Sequence, residues 1–348
     1  MDKRHDFPLN GLSTLCYMEQ DGKYLMLHRV VKKNDINHDK WIGVGGHFEQ
    51  DESPEECIVR EVREETGFTL TDYRFRGLVT FVSGAGLNEY MHLFTATGWT
   101  GTPHACDEGV LEWVDKKDIR DLTLWEGDRI FFRLLDERDD VFLLKLVYNG
   151  GDTLVSASVD GEPLELLDVL DENGEKTGIV RERNVCHRDG SLHGTVHIWL
   201  VRERADHGFD VLIQQRSETK DSNPGAYDAS AAGHITAGCG APESARRELE
   251  EELGIRAEPE DLTFLGRHYG RYRAEFHGRP FIDNEDVSVF LCRKTVRDED
   301  FVLQASEVSG VRWMDLDECE KGVLSGALDS CIYPDEFQMI RDHLTGRD

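Results

Sequence analysis

Positive charge is scarce in this chain: 40 Lys and Arg stand against 69 Asp and Glu, a formal charge of −29 over 348 residues. Binding to a nucleic-acid polymer rests on Lys and Arg displacing counterions from phosphates, so such polymers are excluded as partners. Long apolar runs are missing too. None approaches the roughly 20 residues that span a bilayer, and the opening "MDKRHDFPLNGLSTLCYM" has no apolar centre of the kind a secretory leader needs. The eight cysteines show no CxxC spacing, which removes the common zinc and redox motifs and suits a reducing compartment. No Pro/Ser-rich or low-complexity stretch marks a linker. The expectation is a soluble, cytoplasmic protein without membrane or nucleic-acid contacts, acting on small molecules; its oligomeric state is not legible.

What the chain does contain is length and repetition. With 348 residues and 39% hydrophobic content it can build two packed cores. "GGHFEQDESPEECIVREVREETGF" sets Glu61, Glu64 and Glu65 behind a glycine-rich approach, and "GHITAGCGAPESARRELEEELGI" repeats the pattern with Glu248, Glu251 and Glu252, 187 positions later. Each stretch follows a strand, polar turn, strand order and precedes further strands and a Trp-containing run, "LEWVDKKDI" or "VRWMDLDEC". The pattern predicts an α+β chain with a duplicated fold, residues 1–160 forming one domain and 161–348 the other. "FLLKLVYNGGDTLVSASVDG" reads as a hairpin about Asn149-Gly150 that finishes the first domain.

The carboxylates fall on a helix. Ser53 is a candidate N-cap, Pro54 suits the first helical position, and Glu56 completes a capping box. Glu61, Glu64 and Glu65 then share one face near the C-terminal end, and Gly67 stops the helix. Three acids there repel one another and the helix dipole, an arrangement that a bound cation offsets. A solvated acidic face is the plain alternative.

Gly46, Glu52 and "REVREETGF" match every fixed position of the Nudix box, and the chain resembles the Nudix hydrolases there. The resemblance implies two α/β/α sandwich domains in tandem and magnesium- or manganese-dependent hydrolysis of a phosphoanhydride. It implies that Glu61, Glu64 and Glu65 hold the metal with Gly46 at the head of the site, and that Arg60 pairs with Glu52 to fix the loop. Glu61 or Glu64 would serve as base. Glu108 resembles the extra acidic ligand that many members carry outside the box; it also reads as an ordinary loop acid.

Residues 10–160 are similar to the MutT-type branch, which removes pyrophosphate from oxidised guanine nucleotides, through "LMLHR", "KKNDINHDKWIGVGGHFE" and "LTLWEGD". By that likeness Trp125 and Asp128 would hold a purine base, the alternative being a core Trp and a helix-capping Asp. His47 stands where this branch often has a phosphate-contacting Lys, and Ile42 where some relatives have a base-reading Asn.

The second box keeps Gly233, Arg247, Glu248, Glu251 and Glu252, but Cys239 replaces its first Glu. Its surroundings, "NPGAYDASAAGH" and "RYRAEFHGRPFIDNEDVSVF", resemble the isopentenyl-diphosphate isomerase-like branch. Ala232 stands where the isomerase has its proton-donating cysteine, so hydrolysis is the expectation. By the same likeness His187, His193, His234, Asp283 and Glu285 match the isomerase's metal ligands; His234 is also a substrate-binding candidate and Glu285 or Glu307 an extra magnesium ligand. Together these readings predict a nucleoside triphosphate pyrophosphohydrolase, acting on an oxidised purine nucleotide such as 8-oxo-dGTP, joined to a second diphosphate hydrolase. The alternatives are a catalytically silent nucleotide-sensing second domain, or two domains cleaving dinucleotides or sugar nucleotides.

Overall fold

The computed structural model describes residues 11–31, 35–84, 88–220, 222–276 and 278–346. The first ten residues of the stretch read for a leader lie outside these, as do residues 32–34 of the "KKNDINHDKW" segment. The chain falls into two compact units, Met1–Leu166 with Val180–Val185, and Leu167–Ile179 with Cys186–Asp348. The first extends past 160 because a short strand, Glu162–Pro163, adds to its sheet. It takes in Val180–Val185 because Arg181 donates twice to Glu126 at 2.7 Å and Glu182 pairs with Arg133 at 3.3 Å.

In the first unit the order is β1 (Leu12–Gln20), β2 (Lys23–His28), β3 (Trp41–Ile42), α1 (Pro54–Thr66), β4 (Phe68–Val82), β5 (Asn88–Gly101), β6 (Val110–Asp115), α2 (Glu126–Glu137), β7 (Phe142–Tyr148), β8 (Leu154–Val159) and β9 (Glu162–Pro163). The sheet runs β3-β2-β1-β5-β4-β7-β8-β9, with β6 beside β2. Asp21 and Gly22 both take positive φ, 52° and 74°, which lets a two-residue turn join β1 to β2. The hairpin expected about Asn149-Gly150 is the antiparallel β7–β8 pair. Alternation along β1 decides the layers. Cys16 and Met18 pack with Ile58 and Val62 of α1, while Tyr17 packs against Phe131 and Phe132 of α2, with ring centroids 5.7 and 4.7 Å away. The sheet is thus covered on both faces.

The remaining chain, of which Leu166 and Val180–Val185 count with the first unit, repeats the plan with β10 (Leu166–Leu170), β11 (Lys176–Glu182), α3 (Arg183–Asp189), β12 (His193–Glu203), β13 (Phe209–Arg216), β14 (Tyr227–Asp228), β15 (Ala231–His234), α4 (Ala241–Leu253), β16 (Leu262–Phe276), β17 (Arg279–Cys292), β18 (Val308–Asp315), α5 (Leu316–Ser325) and α6 (Asp335–Thr345). β12 takes the place of β1, pairing parallel to β17 as β1 does to β5. Val196, Ile198 and Leu200 face Ala245, Leu249 and Leu253 of α4; Trp199 and Val201 face Leu316, Phe337 and Ile340 of α5 and α6. Truncating one such fully buried leucine, Leu249→Ala, would cost about 2–5 kcal/mol through lost contacts and a cavity. Two α/β/α sandwiches in tandem are what the sequence led one to expect.

Candidate active sites

α1 is built as its local signals dictate. Ser53 accepts from the Glu56 amide and Glu56 reaches back to the Ser53 amide, Pro54 opens the first turn, and Gly67 closes the helix at φ 79°. The box arginine is held from several sides. Arg60 Nε donates to Glu52 at 2.6 Å and Nη2 to the other Glu52 oxygen at 2.9 Å. Nη2 also reaches the His47 carbonyl at 3.1 Å, and Nη1 reaches Glu61 at 2.7 Å and Glu64 at 3.2 Å. This clasp holds the Glu52 carboxyl down at about 2.

The three acids differ in environment. Glu64 is the open one, its side chain 55% exposed. Glu61 lies against the backbone: a Cβ on Gly46 would sit 2.5 Å from its carboxylate, so only glycine fits. Glu65 is buried, accepts from the Gly45 amide at 3.1 Å, and is pushed up to about 8, mainly by burial and also by Glu108 and Glu61. Burial likewise raises Glu61, with Arg60 opposing and Glu64 and Glu108 adding to it. Glu108 therefore belongs electrostatically to this cluster. It is ion-paired with Arg29, which donates to Asp35 as well, at 2.8 Å.

Trp125 and Asp128 start α2, where Trp125 itself is the N-cap residue and Asp128 lies inside the first turn. Trp125 is only 6% exposed. Its indole N–H donates to Asn37 Oδ1 at 2.8 Å, and the Lys40 ammonium sits 4.3 Å above its ring. Asp128 is buried, and burial, opposed by Lys40 and Arg129, pushes its carboxyl up to about 8. His47 is exposed; it serves the box through its carbonyl. Asn37, Lys40 and Arg29 were not foreseen. The last had a signal, since "LMLHR" and "LIQQR" both end in arginine at the edge of a strand.

In the second unit α4 starts at Gly240 without a capping side chain. Glu248 crowds Gly233 so closely that a Cβ there would overlap its carboxylate. Glu252 accepts from the Ala232 amide and from Gln214 Nε2, both at 3.1 Å. Burial, with Glu248 adding to it, pushes Glu252 up to about 8. Glu251 is 56% exposed, as Glu64 is in the first unit. Where the first box has its Glu52 clasp, Arg247 donates instead to Thr236 Oγ1 at 2.7 Å, the His234 carbonyl at 2.9 Å and Glu248 at 2.7 Å. Thr236 was not foreseen either; a hydroxyl two residues past Gly-His was the available signal.

His187, His193 and His234 come together, with ring centroids 5.0–5.3 Å apart. Asp283 lies 3.8 Å from His187 and 3.9 Å from His193, and the ligand atoms of His193, Asp283 and Glu285 lie within 4.8 Å of one another. Burial, reinforced by Asp283, raises Glu285. A third buried group, His197, His268 and Glu336, is explained by its own hydrogen bonds: Glu336 accepts from His197 at 2.6 Å, His268 at 2.9 Å and Trp199 at 2.5 Å.

The box carboxylates fit a hard divalent cation. Each set offers only oxygens, and glycine removes the side chain that would block one of them. The His-Asp-Glu group mixes imidazole with carboxylate, a set suited to a transition metal.

The NUDIX domain profile matches residues 10–135 and 191–329. Nudix hydrolase 3 of Arabidopsis thaliana is 41% identical over 44% of this chain, which spans only 20% of that protein's length. The oxidized purine nucleoside triphosphate hydrolase of Danio rerio is 30% identical over 43% of this chain and 94% of its own length. The isopentenyl-diphosphate Delta-isomerase of Saccharopolyspora erythraea is 29% identical over 48% of this chain and 80% of its own. Among the described residues no helix is long and apolar enough to cross a membrane.

Proposed function

We propose the activity that follows from one premise: this chain belongs to the Nudix family, with a Nudix domain in each half. Each domain hydrolyses a phosphoanhydride with magnesium or manganese, the first acting on a purine nucleoside triphosphate such as 8-oxo-dGTP and releasing pyrophosphate. The observation that carries the reading is the doubled arrangement in which Glu61 and Glu248 press against Gly46 and Gly233 while Glu65 and Glu252 accept from the amides of the preceding residues, Gly45 and Ala232.

Glu61, Glu64 and Glu65 would hold the cation in the first unit, with Glu108 beside them, and Glu248, Glu251 and Glu252 in the second. The ion supplies charge neutralisation on the phosphate oxygens and an acidified water. The chain's own groups do the rest. Arg60, fixed by Glu52, keeps the loop from His47 onward against the helix. The exposed Glu64 is open to water and, with Glu61, is the candidate to take its proton; Glu251 and Glu248 have the same standing in the second unit. Asp128, its carboxyl held up at about 8, can donate a hydrogen bond to a purine edge, and Trp125, three residues before it, offers the ring on which that base would stack in place of the Lys40 ammonium. The likeness to the oxidized purine nucleoside triphosphate hydrolase supports this base class.

Steady-state release of pyrophosphate from 8-oxo-dGTP, dGTP and dCTP with magnesium tests the first domain. The expected order is 8-oxo-dGTP above dGTP above dCTP, with the purine preference reduced about ten-fold in Asp128→Ala through the lost hydrogen bond. Equal turnover of all three by wild type and variant would contradict the base assignment.

A further inference from the structure

The second box lacks an assigned subsite for the part of its substrate that does not react. β16 and β17 pair along their whole length, from Leu262↔Cys292 to Phe276↔Arg279, but β12 supports β17 only from Glu285 to Cys292. Residues 271–276 and 279–284 therefore project beyond the sheet as a two-stranded ribbon. Directly opposed residues share a face, so Tyr272, Ala274, Phe276, Arg279, Phe281 and Asp283 line one side of it. That side carries a row of rings leading back to the box. Tyr272 lies 6.5 Å from Phe276, Phe276 lies 5.3 Å edge-on to Phe281, and Phe281 lies 4.5 Å from His187. His187 neighbours His234 at 5.3 Å, and His234 follows Gly233, against which Glu248 is pressed.

An aromatic row left open on a ribbon has no core to bury it; Tyr272 is 41% exposed. The composition of the face decides between occupants. A prenyl chain calls for branched aliphatic contacts, and this face has no Leu, Ile, Val or Met. It has three flat rings and an arginine, the set on which a nucleobase stacks. The local charge agrees. Residues 271–283 hold Arg271, Arg273 and Arg279 against Glu275 and Asp283, in a chain of net charge −29. Arg271 and Arg273 are exposed, on the face of the ribbon opposite the rings. A positive tip on an acidic protein draws a phosphorylated ligand to this end of the unit.

We propose that the β16–β17 ribbon is the base-binding subsite of the second domain, which stacks the planar base of a nucleoside diphosphate on Tyr272, Phe276 and Phe281 while the diphosphate reaches the box carboxylates. This rests on the reading of that box as a metal-dependent diphosphate site, and it separates the domain from an isoprenoid diphosphate specificity.

Tyr272→Leu/Phe276→Leu, made in the full chain, keeps apolar bulk and removes two rings. The ligands, titrated calorimetrically with magnesium, are α,β-methylene-ADP, base-free methylenebisphosphonate and isopentenyl diphosphate. Wild type is expected to prefer α,β-methylene-ADP over the other two by about ten-fold or more, the scale of base–aromatic stacking, and the double variant to lose that preference while methylenebisphosphonate affinity stays put. The unchanged bisphosphonate value certifies that the variant is folded. An unchanged preference in the variant, or isopentenyl diphosphate binding wild type as tightly as the ADP analogue, overturns the subsite. Failure of the underlying box reading looks different: Glu252→Gln then leaves methylenebisphosphonate affinity at its wild-type value.

Discussion

The two box helices carry the same three acids at their ends yet begin in different ways. α1 has a full capping box, and its arginine is gripped by both oxygens of Glu52. α4 begins at Gly240 with no capping side chain, Cys239 takes the place of that glutamate, and Arg247 is held by Thr236 and a carbonyl. The acids do not register the change. Gly233 meets Glu248 as Gly46 meets Glu61, and Glu252 is buried and raised as Glu65 is. The comparison separates two jobs that one motif performs, holding a cation and holding the loop that leads to it, and only the second has been rebuilt.

The glycines should break both sites alike. Gly46→Ala and Gly233→Ala force a methyl onto a carboxylate, and each is expected to lower kcat of its own domain about a thousand-fold, the scale of several kcal/mol of lost charge stabilisation. Each should leave the other domain's rate unchanged, as assays with a substrate for each would show.

A second contrast lies in the strand beneath the box. Thr14 faces Gly46 as Val196 faces Gly233, so Leu15 is the counterpart of His197. Leu15 is plain core, whereas His197 is buried on Glu336. Burial alone would lower His197 and raise Glu336; their pairing reverses both, holding His197 up at about 10 and Glu336 down at about 2. Since His197 is raised from 6.5, its stabilisation is full below that pH and is lost as pH climbs toward 10. Glu336 is lowered from 4.5, so its part is present above that pH and is lost toward 2. Thermal unfolding of the second unit is expected to be most resistant between these limits. Removing one partner with His197→Leu should cost that unit about 3–5 kcal/mol, with no change in the first.

The clasp gives smaller effects of opposite sign. Glu52→Gln weakens a charge-assisted double hydrogen bond and should cost the first domain about ten-fold in kcat/KM. Cys239→Glu restores the grip on Arg247 and should raise the second domain's kcat/KM a few-fold. Thr236→Val removes a single hydrogen bond to Arg247 and should lower it by about five-fold.

What the sequence made legible was local. Ser53, Pro54, Glu56 and Gly67 announce α1 because capping and termination are decided within a few residues, and the lag between the acid clusters announces the duplication. The strand, turn, strand runs gave the α+β class of both halves, and the resemblance carried by the box gave the sandwich. What stayed hidden depends on residues far apart in the chain. Thr236 reaches Arg247 only after the loop folds back; Asn37 and Lys40 meet Trp125 across some 85 positions; and Glu126 draws Arg181 into the first unit, which no composition shift announces. The β16–β17 overhang was equally invisible, because strand length is readable from a sequence but the point where a neighbouring strand stops is not.

Everything rests on the two acid clusters being separate, working cation sites, and the sharpest measurement replaces one exposed acid in each. Glu64→Gln and Glu251→Gln, assayed individually against a panel of nucleoside triphosphates, nucleoside diphosphates, dinucleotides and sugar nucleotides with magnesium, should each abolish turnover of a different substrate and leave the other's rate intact. If Glu64→Gln abolishes every activity and Glu251→Gln none, the second cluster is not a working site and the account of two is wrong.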